Sequence, residues 1–521
     1  MLNTDSKSHF IFRINENGSG PNLLHQVCVE RGWKAFEDIN YSGSSEQWNL
    51  WWRTKGFPVL RQRSLNKDQF TNHIPNASFI CRKDNLIRCI KCMKNIYGSC
   101  YDFVPDGFNL PLEYKKLIAM SKSGKQLYIS NDNEKTDKQI WICKPVGLSQ
   151  GRGISLFQNP RDLVYNSNAI VQKYVKNPLL IGGYKFDLRL YVLVPSFHPL
   201  IIYIYKEGLA RFGTEKFTLN NLKNKFAHLT NSSLNKYGPG YLETKERVGA
   251  GCKWNLQQLR CYLQQTVGSD WLLWQNISTL IVLTIASQLT KVSHTTNCFE
   301  FYGFDILIDS KLKPWLIEVN LSPALSIDCR IDPEIKKPMI HELFDLLGFP
   351  VCNTGLSFYA INKNRRSEVM KQCSNKKSSK TVVKAVVKWK KKRLNVNSRS
   401  CKNHYRSSFR IRDASENDFE KNLRWGNGKD WNFPEASCGN WIRVFPSLSS
   451  EKNKIKFTKS INHIHRTFST DEIKSVVSSA VSFFKVAKEI VHLNQDADDN
   501  RLNSFMASHM LPESKIWLPP S

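Results

Sequence analysis

Apolar positions recur with period two in several short runs of this 521-residue chain, and with helical period in the stretches between them. The clearest alternation runs from Phe299 to Asn320, FEFYGFDILIDSKLKPWLIEVN. Aromatic and β-branched residues fill both ends, and Asp309 to Pro314 is polar, so two strands joined by a turn are predicted. Strict alternation puts Leu316, Glu318 and Asn320 on one face of the second strand, and Trp315, Ile317 and Val319 on the other. A second run, YKFDLRLYVLV from Tyr184, sets Lys185, Asp187 and Arg189 on one face against Phe186, Leu188, Leu190 and Val192. LIIYIYKEGLARF from Leu200 returns as its hairpin partner, with Arg211 at the end.

Between these runs, Asn255 to about Ser293 reads as helical, and so does the stretch that follows LSPALS and ends near Gly348. Near the N-terminus, FRINENGSGPNLLHQVCVERGWKAFED gives a strand, a Gly/Pro break and a helix. Its buried side is expected from Leu23, Leu24, Val27 and Val29 through Trp33, with Trp48, Trp51 and Trp52 as core. The mixed pattern defines an α/β (α+β) chain with a small α/β unit over 10–105, a second unit over 106–205 and a third over 206–350. The uncharged run Trp271 to Thr290 is of bilayer length, but Gln275, Asn276, Ser278, Thr279, Thr284, Ser287 and Gln288 make it a buried globular helix rather than a membrane span.

The alternating runs carry the candidate chemistry. A hairpin centred near Lys311 and Leu312 sets Asp305 opposite Glu318, with Asn320 on the same face as Glu318. Two carboxylates and an amide oxygen are hard ligands that suit Mg²⁺, which keeps some water and shares its remaining sites with phosphates; a solvated edge strand explains the same residues. In QIWICKPVGLSQGRGISLF a strand ends at Lys144, and a loop from Gly147 to Gly153 leads into another strand. Glycines let backbone N–H groups approach phosphate oxygens, and Lys144 and Arg152 add charge. The motif is neither a P-loop nor a dinucleotide fingerprint, and a plain hairpin loop is the simpler reading of it alone. The polar loop AHLTNSSLNK at 227–236 offers no general base beyond His228.

Composition changes the picture in one respect. Lysine and arginine exceed aspartate and glutamate 75 to 45, a formal charge of +30, which implies an anionic partner. Much of the excess lies in 361–412, with 18 Lys and Arg against Glu368 alone. There TVVKAVVKWKKKR spaces Val382, Val383, Val386 and Val387 as one helix face, with Lys380, Lys384, Lys388 and Lys392 as a row, a basic amphipathic helix. A solvated disordered tail, a nuclear localisation signal, a nucleic-acid contact and a calmodulin-type target are other readings of that charge. Beyond about 450 the chain is polar, apart from a helix over Ile473 to Leu493. The opening MLNTDSKSHF has no apolar core and is not a signal peptide. The fourteen cysteines follow no disulfide rhythm and are expected reduced; Cys81, Cys89, Cys92 and Cys100 contain one CxxC, too little to favour zinc.

The segments NENGSGPNLL, WNLWWR, CKPVGLSQGRGI, GYKFDLRLYVLV, EGLARF, HLTN, FEFYGFDILID and WLIEVNLSPALS occur in this order. Together, over about 11–350, they resemble the tubulin tyrosine ligase-like family, whose core has the ATP-grasp fold. The resemblance implies ATP and Mg²⁺ as cofactors and an ATP-grasp core after a small N-terminal domain. Lys144, Lys185, Gln150, Gly151, Arg152 and Gly153 would hold phosphates. Gln172, Lys173, Tyr174 and Val175 would form the adenine hinge, and Phe186, Asp187, Thr230 and Asn231 would also border the nucleotide. Asp305, Glu318 and Asn320 would bind Mg²⁺, and Arg211, Ser232, Ser233 and Lys253 would meet the incoming amino acid. Arg211, Glu318 and Lys185 are the implied catalytic set. Ser232 stands where the family usually has tyrosine, which leaves glutamate, glycine or tyrosine as the donor.

The reaction implied is ATP-dependent addition of free L-glutamate to glutamate side chains of the acidic tubulin tail, through an acylphosphate. A non-catalytic microtubule-binding protein is the alternative from another class. The basic region within 360–450 would bind microtubules, with CGNWIRVFP at 438–446 resembling a closing strand, and 451–521 would be a largely disordered tail. A monomer in the cytoplasm, on microtubules, in a cilium or at a basal body follows, with no nucleic acid partner.

Overall fold

The computed structural model describes residues 9–493 except 17, 19, 37–46, 58–63, 127–138, 164–167, 243–247, 249–251, 269, 293, 353–423 and 447–467. The basic amphipathic helix expected within 361–412 lies outside the described residues.

Three sheets follow one another along the chain. The first holds β1 (Ile11–Ile14), β2 (Lys34–Ala35), β3 (Leu50–Trp52) and β4 (Phe70–Thr71), all parallel, in the order β2-β1-β3-β4. The second holds β5 (Gly107–Leu110), β6 (Trp141–Pro145), β7 (Ser155–Phe157) and β8 (Ala169–Lys173), antiparallel, in the order β5-β8-β6-β7. The main sheet holds β9 (Leu180–Ile181), β10 (Tyr184–Ser196), β11 (Ile201–Lys216), β12 (Lys253–Asn255), β13 (Glu300–Ile308), β14 (Pro314–Asn320), β15 (Ser437–Cys438) and β16 (Trp441–Phe445). Its spine runs β14-β13-β10-β11-β16-β15. The strand expected in CGNWIRVFP is therefore β16, paired with β11. The boundary read at 205/206 falls inside β11, which runs unbroken to Lys216, five residues past Arg211.

Helices fill the intervals: α1 (Asn22–Glu30), α2 (Lys83–Tyr97), α3 (Tyr114–Gln126), α4 (Lys225–His228), α5 (Ser232–Asn235), α6 (Leu256–Val267), α7 (Trp271–Ala286), α8 (Ile331–Leu346) and α9 (Thr470–Leu493). Asn255 caps α6 in a reciprocal box with Gln258, and Gly268, at φ +86°, ends it, so the single helical stretch read from sequence is two helices. The uncharged α7 is the buried helix expected: Thr279 and Thr284 turn their hydroxyls onto the carbonyls of Gln275 and Leu280. Among the described residues no helix is long and apolar enough to cross a membrane.

Alternation along β10 decides how the main sheet is covered. Phe186, Leu188, Leu190, Val192 and Val194 face a core built with α6, α7 and α9, to which α9 gives Ile473, Val476, Val477 and Ala480. On the other face the strand changes character. Tyr191 and Leu193 enter a second core with the N-terminal unit and α8, whereas Lys185, Asp187 and Arg189, at the far end, do not. That second core takes Leu23, Leu24, Val27 and Trp52; Val29, expected inside, is half exposed because the helix turns it outward. The unit is also tied to β13 through the buried pair His73–Glu300, at 2.8 Å. One end of one face of the main sheet is thus charged, and the second sheet with its loops lies over it.

Candidate active site

The turn between β13 and β14 sets the register. The Asp309 carboxylate accepts from the backbone N–H of Lys311 and Lys313 and from the Trp315 indole, and Leu312 takes φ +59°. Pairing starts at Ile308 with Pro314 and would place Asp305 opposite Ile317. A β-bulge at Ile317 moves the register by one, so Asp305 faces Glu318 and Gly303 faces Asn320. The expected opposition of Asp305 and Glu318 is therefore present, but strict alternation is not. Leu316 lies in the core with Val319, while Ile317 and Glu318 both border the cavity. The face assignment of Leu316 and Ile317 from period two is corrected by that extra residue.

Across the sheet the charged side chains form an ordered network. Arg189 grips Asp305 with two hydrogen bonds, at 2.5 and 3.0 Å. Arg211 grips Asp187 with two, at 2.8 and 2.6 Å, and reaches the second oxygen of Asp305 at 2.9 Å. The two guanidiniums hold the Asp305 carboxyl well below the usual carboxylate range, against the opposing effect of burial. The Glu318 carboxyl is pushed up, first by burial and then by the negative charge of Asp305. Lys83 is its cation, at 3.8 Å. Asn320 donates to Glu318 and to the Gly303 carbonyl, at 3.4 and 3.3 Å.

Two lysines meet at this floor, Lys144 from the second sheet and Lys185 from β10 of the main sheet. Lys144, at the end of β6, donates to the Gln172 side chain at 2.9 Å. Lys185 donates to the Tyr174 hydroxyl and the His228 carbonyl, both at 2.9 Å. Burial drives both ammonium groups down, Lys144 to about 8 and Lys185 to about 7, which makes each receptive to an anion.

One cavity gathers most of the expected residues. Lys144, Gln150, Gly151 and Arg152 line it from the β6 side. Gln172, Lys173, Tyr174 and Val175 form its wall, and Lys185, Asp187, Asp305 and Glu318 its floor. Thr230 and Asn231 close it from the loop between α4 and α5. Gly151 is at φ +76°, and a Cβ there would stand 2.9 Å from the Asn231 side-chain oxygen, so only glycine lets the two loops approach.

Other expected residues fall elsewhere. Phe186 points into the core against Phe212, a correction that follows from its even position on β10. Gly153, at φ +70°, shapes the loop against Pro145 without lining the cavity. Asn320 lies beyond Glu318, in an adjoining cavity with Arg82, Lys83 and Lys291. Arg211 is buried beneath the floor, and Lys253, its partner in register on β12, turns to Asp332 and Asp328, at 2.9 and 3.5 Å. Ser232 and Ser233 open α5 outside the cavity. Lys83 was not read from sequence; nothing separates it from Arg82 and Arg88, and only the packing of α2 brings it to Glu318.

Among the described residues no three of His, Cys, Asp or Glu come together as metal ligands. The donor set is two carboxyl groups and an amide. Asp305 accepts three of the roughly four bonds a carboxylate can take. Among the described residues the ion pair of Glu318 is with Lys83, at 3.8 Å. The carboxyl pair fits a divalent cation that brings its own anionic ligands, as a magnesium nucleotide does.

The site is thus a mixed α/β frame with paired carboxylates beneath a glycine loop and two buried lysines. Residues 61–355 match the tubulin-tyrosine ligase family, and the chain belongs to that family. It is 45% identical over 338 residues to the human probable tubulin polyglutamylase TTLL2, covering 65% of this chain and 55% of that one. It is 40% identical over 357 residues to human tubulin polyglutamylase TTLL5, 66% of this chain and 26% of the relative. A probable alpha-tubulin polyglutamylase of Tetrahymena thermophila is 33% identical over 364 residues, 62% of this chain and 83% of that one. The chain thus spans about half and a quarter of the lengths of the two human relatives.

Proposed function

We propose that this chain is an ATP-dependent amide-bond ligase of the tubulin polyglutamylase type, joining free L-glutamate to glutamate side chains of an acidic tubulin tail. One observation carries the reading: two buried lysines, Lys144 and Lys185, share a cavity with the carboxylate pair Asp305–Glu318, and among the described residues neither the lysines nor Glu318 has an opposite charge within hydrogen-bond distance. Phosphates would satisfy the lysines, and a divalent cation would satisfy Glu318 and take the acceptor capacity that Arg189 and Arg211 leave on Asp305. Bound by Asp305, Glu318 and Asn320, Mg²⁺ would screen the phosphate charge.

Little covalent work falls to the protein, since phosphoryl transfer is governed by positioning and cations. Lys144 and Lys185 hold the phosphates, Gly151 lets the loop approach, and Tyr174 and Val175 border the base. An acceptor carboxylate attacks the γ-phosphorus, ADP leaves, and the donor amine attacks the resulting acylphosphate to expel phosphate; its surplus proton goes to solvent. The adjoining cavity beyond Glu318, with Arg82, Lys83 and Lys291, suits the approach of an acidic acceptor. Arg211 and Lys253 are paired in register, and a donor carboxylate has to share them with Asp187, Asp305, Asp328 and Asp332. Ser232 keeps glycine and tyrosine as alternative donors, which competition between labelled amino acids separates. Action in the cytoplasm on microtubules follows from the acceptor.

The test is incubation of purified protein with microtubules, MgATP and labelled glutamate, beside Glu318→Gln. Wild type labels tubulin and the variant does not; equal labelling removes Glu318 from the mechanism, and no labelling by either removes the ligase.

A further inference from the structure

Lys185 does not stand alone. Its ammonium donates to the Tyr174 hydroxyl at 2.9 Å and to the backbone carbonyl of His228 at 2.9 Å. The Tyr174 hydroxyl lies 3.0 Å from the Nδ1 of His228, and the Nε2 of His228 lies 3.0 Å from the carbonyl of Asn221. A carbonyl only accepts, so Nε2 carries the hydrogen and Nδ1 is the acceptor. The hydroxyl proton therefore points at Nδ1, which leaves the Tyr174 oxygen turned toward Lys185. Along the chain Lys185–Tyr174–His228–Asn221 the direction of each bond is fixed by the last, and Lys185 makes a second bond to the His228 carbonyl. His228 is buried at 1% exposure, and burial lowers its proton affinity, so it stays the neutral tautomer this direction requires.

We propose that Tyr174 and His228 are positioning residues that aim the Lys185 ammonium at the phosphates of the nucleotide, an assignment that rests on the reading of this cavity as a nucleotide site. Their effect on the phosphates is exerted through Lys185, whatever Tyr174 contributes beside the base. The charged and titratable groups facing Lys185 are Asp187 from its own strand, Lys144 from β6, Tyr174 after β8 and His228 from α4. Arg211 from β11 takes up the charge of Asp187, so among the described residues no carboxylate is hydrogen-bonded to Lys185. Its hydrogen bonds are to neutral oxygens, and the tyrosine ring lies 4.5 Å from its nitrogen. In this setting an acceptor at the right distance decides both where the ammonium points and how readily it keeps its proton.

The measurement is calorimetric binding of MgATP to the full chain from pH 6.5 to 9, with unfolding temperatures recorded alongside. Wild-type affinity falls as pH rises through the range in which Lys185 loses its proton, because phosphate prefers the ammonium. Tyr174→Phe and His228→Leu weaken binding several-fold near neutral pH and move the midpoint of the decline to lower pH, by about half a unit or more, since the ammonium loses an oriented acceptor. His228→Asn, whose side-chain oxygen replaces Nδ1 as acceptor, restores the wild-type midpoint. Should Tyr174→Phe and His228→Leu keep the wild-type midpoint, with or without a lower unfolding temperature, the two residues merely tie α4 to the second sheet and the proposal fails. If His228→Leu does not fold, Tyr174→Phe and His228→Asn decide the matter by the same midpoint. A wild type that binds no MgATP at any pH sinks the nucleotide reading itself, a separate outcome.

Discussion

Two electrostatic regions lie side by side at the charged end of the main sheet, and they are built on opposite terms. In one, Arg189 and Arg211 each grip an aspartate with two hydrogen bonds, and Arg211 reaches Asp305 as well, so two cations meet two anions. In the other, among the described residues Lys144 and Lys185 donate to neutral oxygens alone, and Glu318 has Lys83 no nearer than 3.8 Å. Charge is satisfied internally in the first and withheld in the second. The difference teaches which part is frame and which is site. A matched network holds geometry, whereas groups driven toward their neutral forms gain most from a charged ligand.

The largest effect expected from this contrast is on stability. Asp305→Asn leaves two buried guanidiniums undercompensated and should cost roughly 3–5 kcal/mol, the range for breaking a buried pair. Glu318→Gln removes a carboxylate that is already disfavoured and should cost less than about 1 kcal/mol. Urea unfolding of both variants checks this; equal losses would erase the distinction between frame and site.

Next in size is the response to pH. Lys144 and Lys185 lie near 8 and 7 when folded, against 10.5 as ordinary lysines, so between those values the unfolded chain binds more protons and stability rises with pH. Asp305 runs the other way: its stabilisation is present above the ordinary aspartate value of 3.8 and is lost as acid titrates it below that. MgATP should reverse the alkaline trend, raising the unfolding temperature most near neutral pH and progressively less toward pH 9. A gain that is constant over that range would mean that neither lysine meets phosphate.

A smaller effect is expected in the glycine loop. Gly151→Ala forces a side chain into a positive-φ position against Asn231 and should cost about 1 kcal/mol and several-fold in MgATP affinity. Gly147→Ala, where an added Cβ meets nothing within 4 Å, should change affinity far less. Calorimetry on the pair sharpens the comparison within one loop.

What could be read from the residues was whatever period two or local turn chemistry controls. The charged and apolar faces of β10, the polar turn at Asp309 and the pairing of Asp305 with Glu318 belong there. The bulge at Ile317 does not, since one extra residue leaves no mark in an alternating pattern. Phe186 was credited to the nucleotide site through resemblance, although its even position already put it on the core face. Lys83 and the link from Tyr174 to His228 depend on contacts between elements distant in sequence, which no local pattern encodes. The helix at Thr470–Leu493 was visible as a helix, but its partner α7 emerged only with the fold.

On the proposed function, Glu318 and Asp305 share a divalent cation carried by nucleotide. This is tested most directly by titrating wild type and Glu318→Gln with ATP, once with Mg²⁺ and once with a chelator. Mg²⁺ should tighten binding at least about tenfold in wild type, roughly 1.4 kcal/mol, and most of the gap should close in the variant. An equal dependence on Mg²⁺ in both proteins, or no binding of MgATP by wild type, would contradict it.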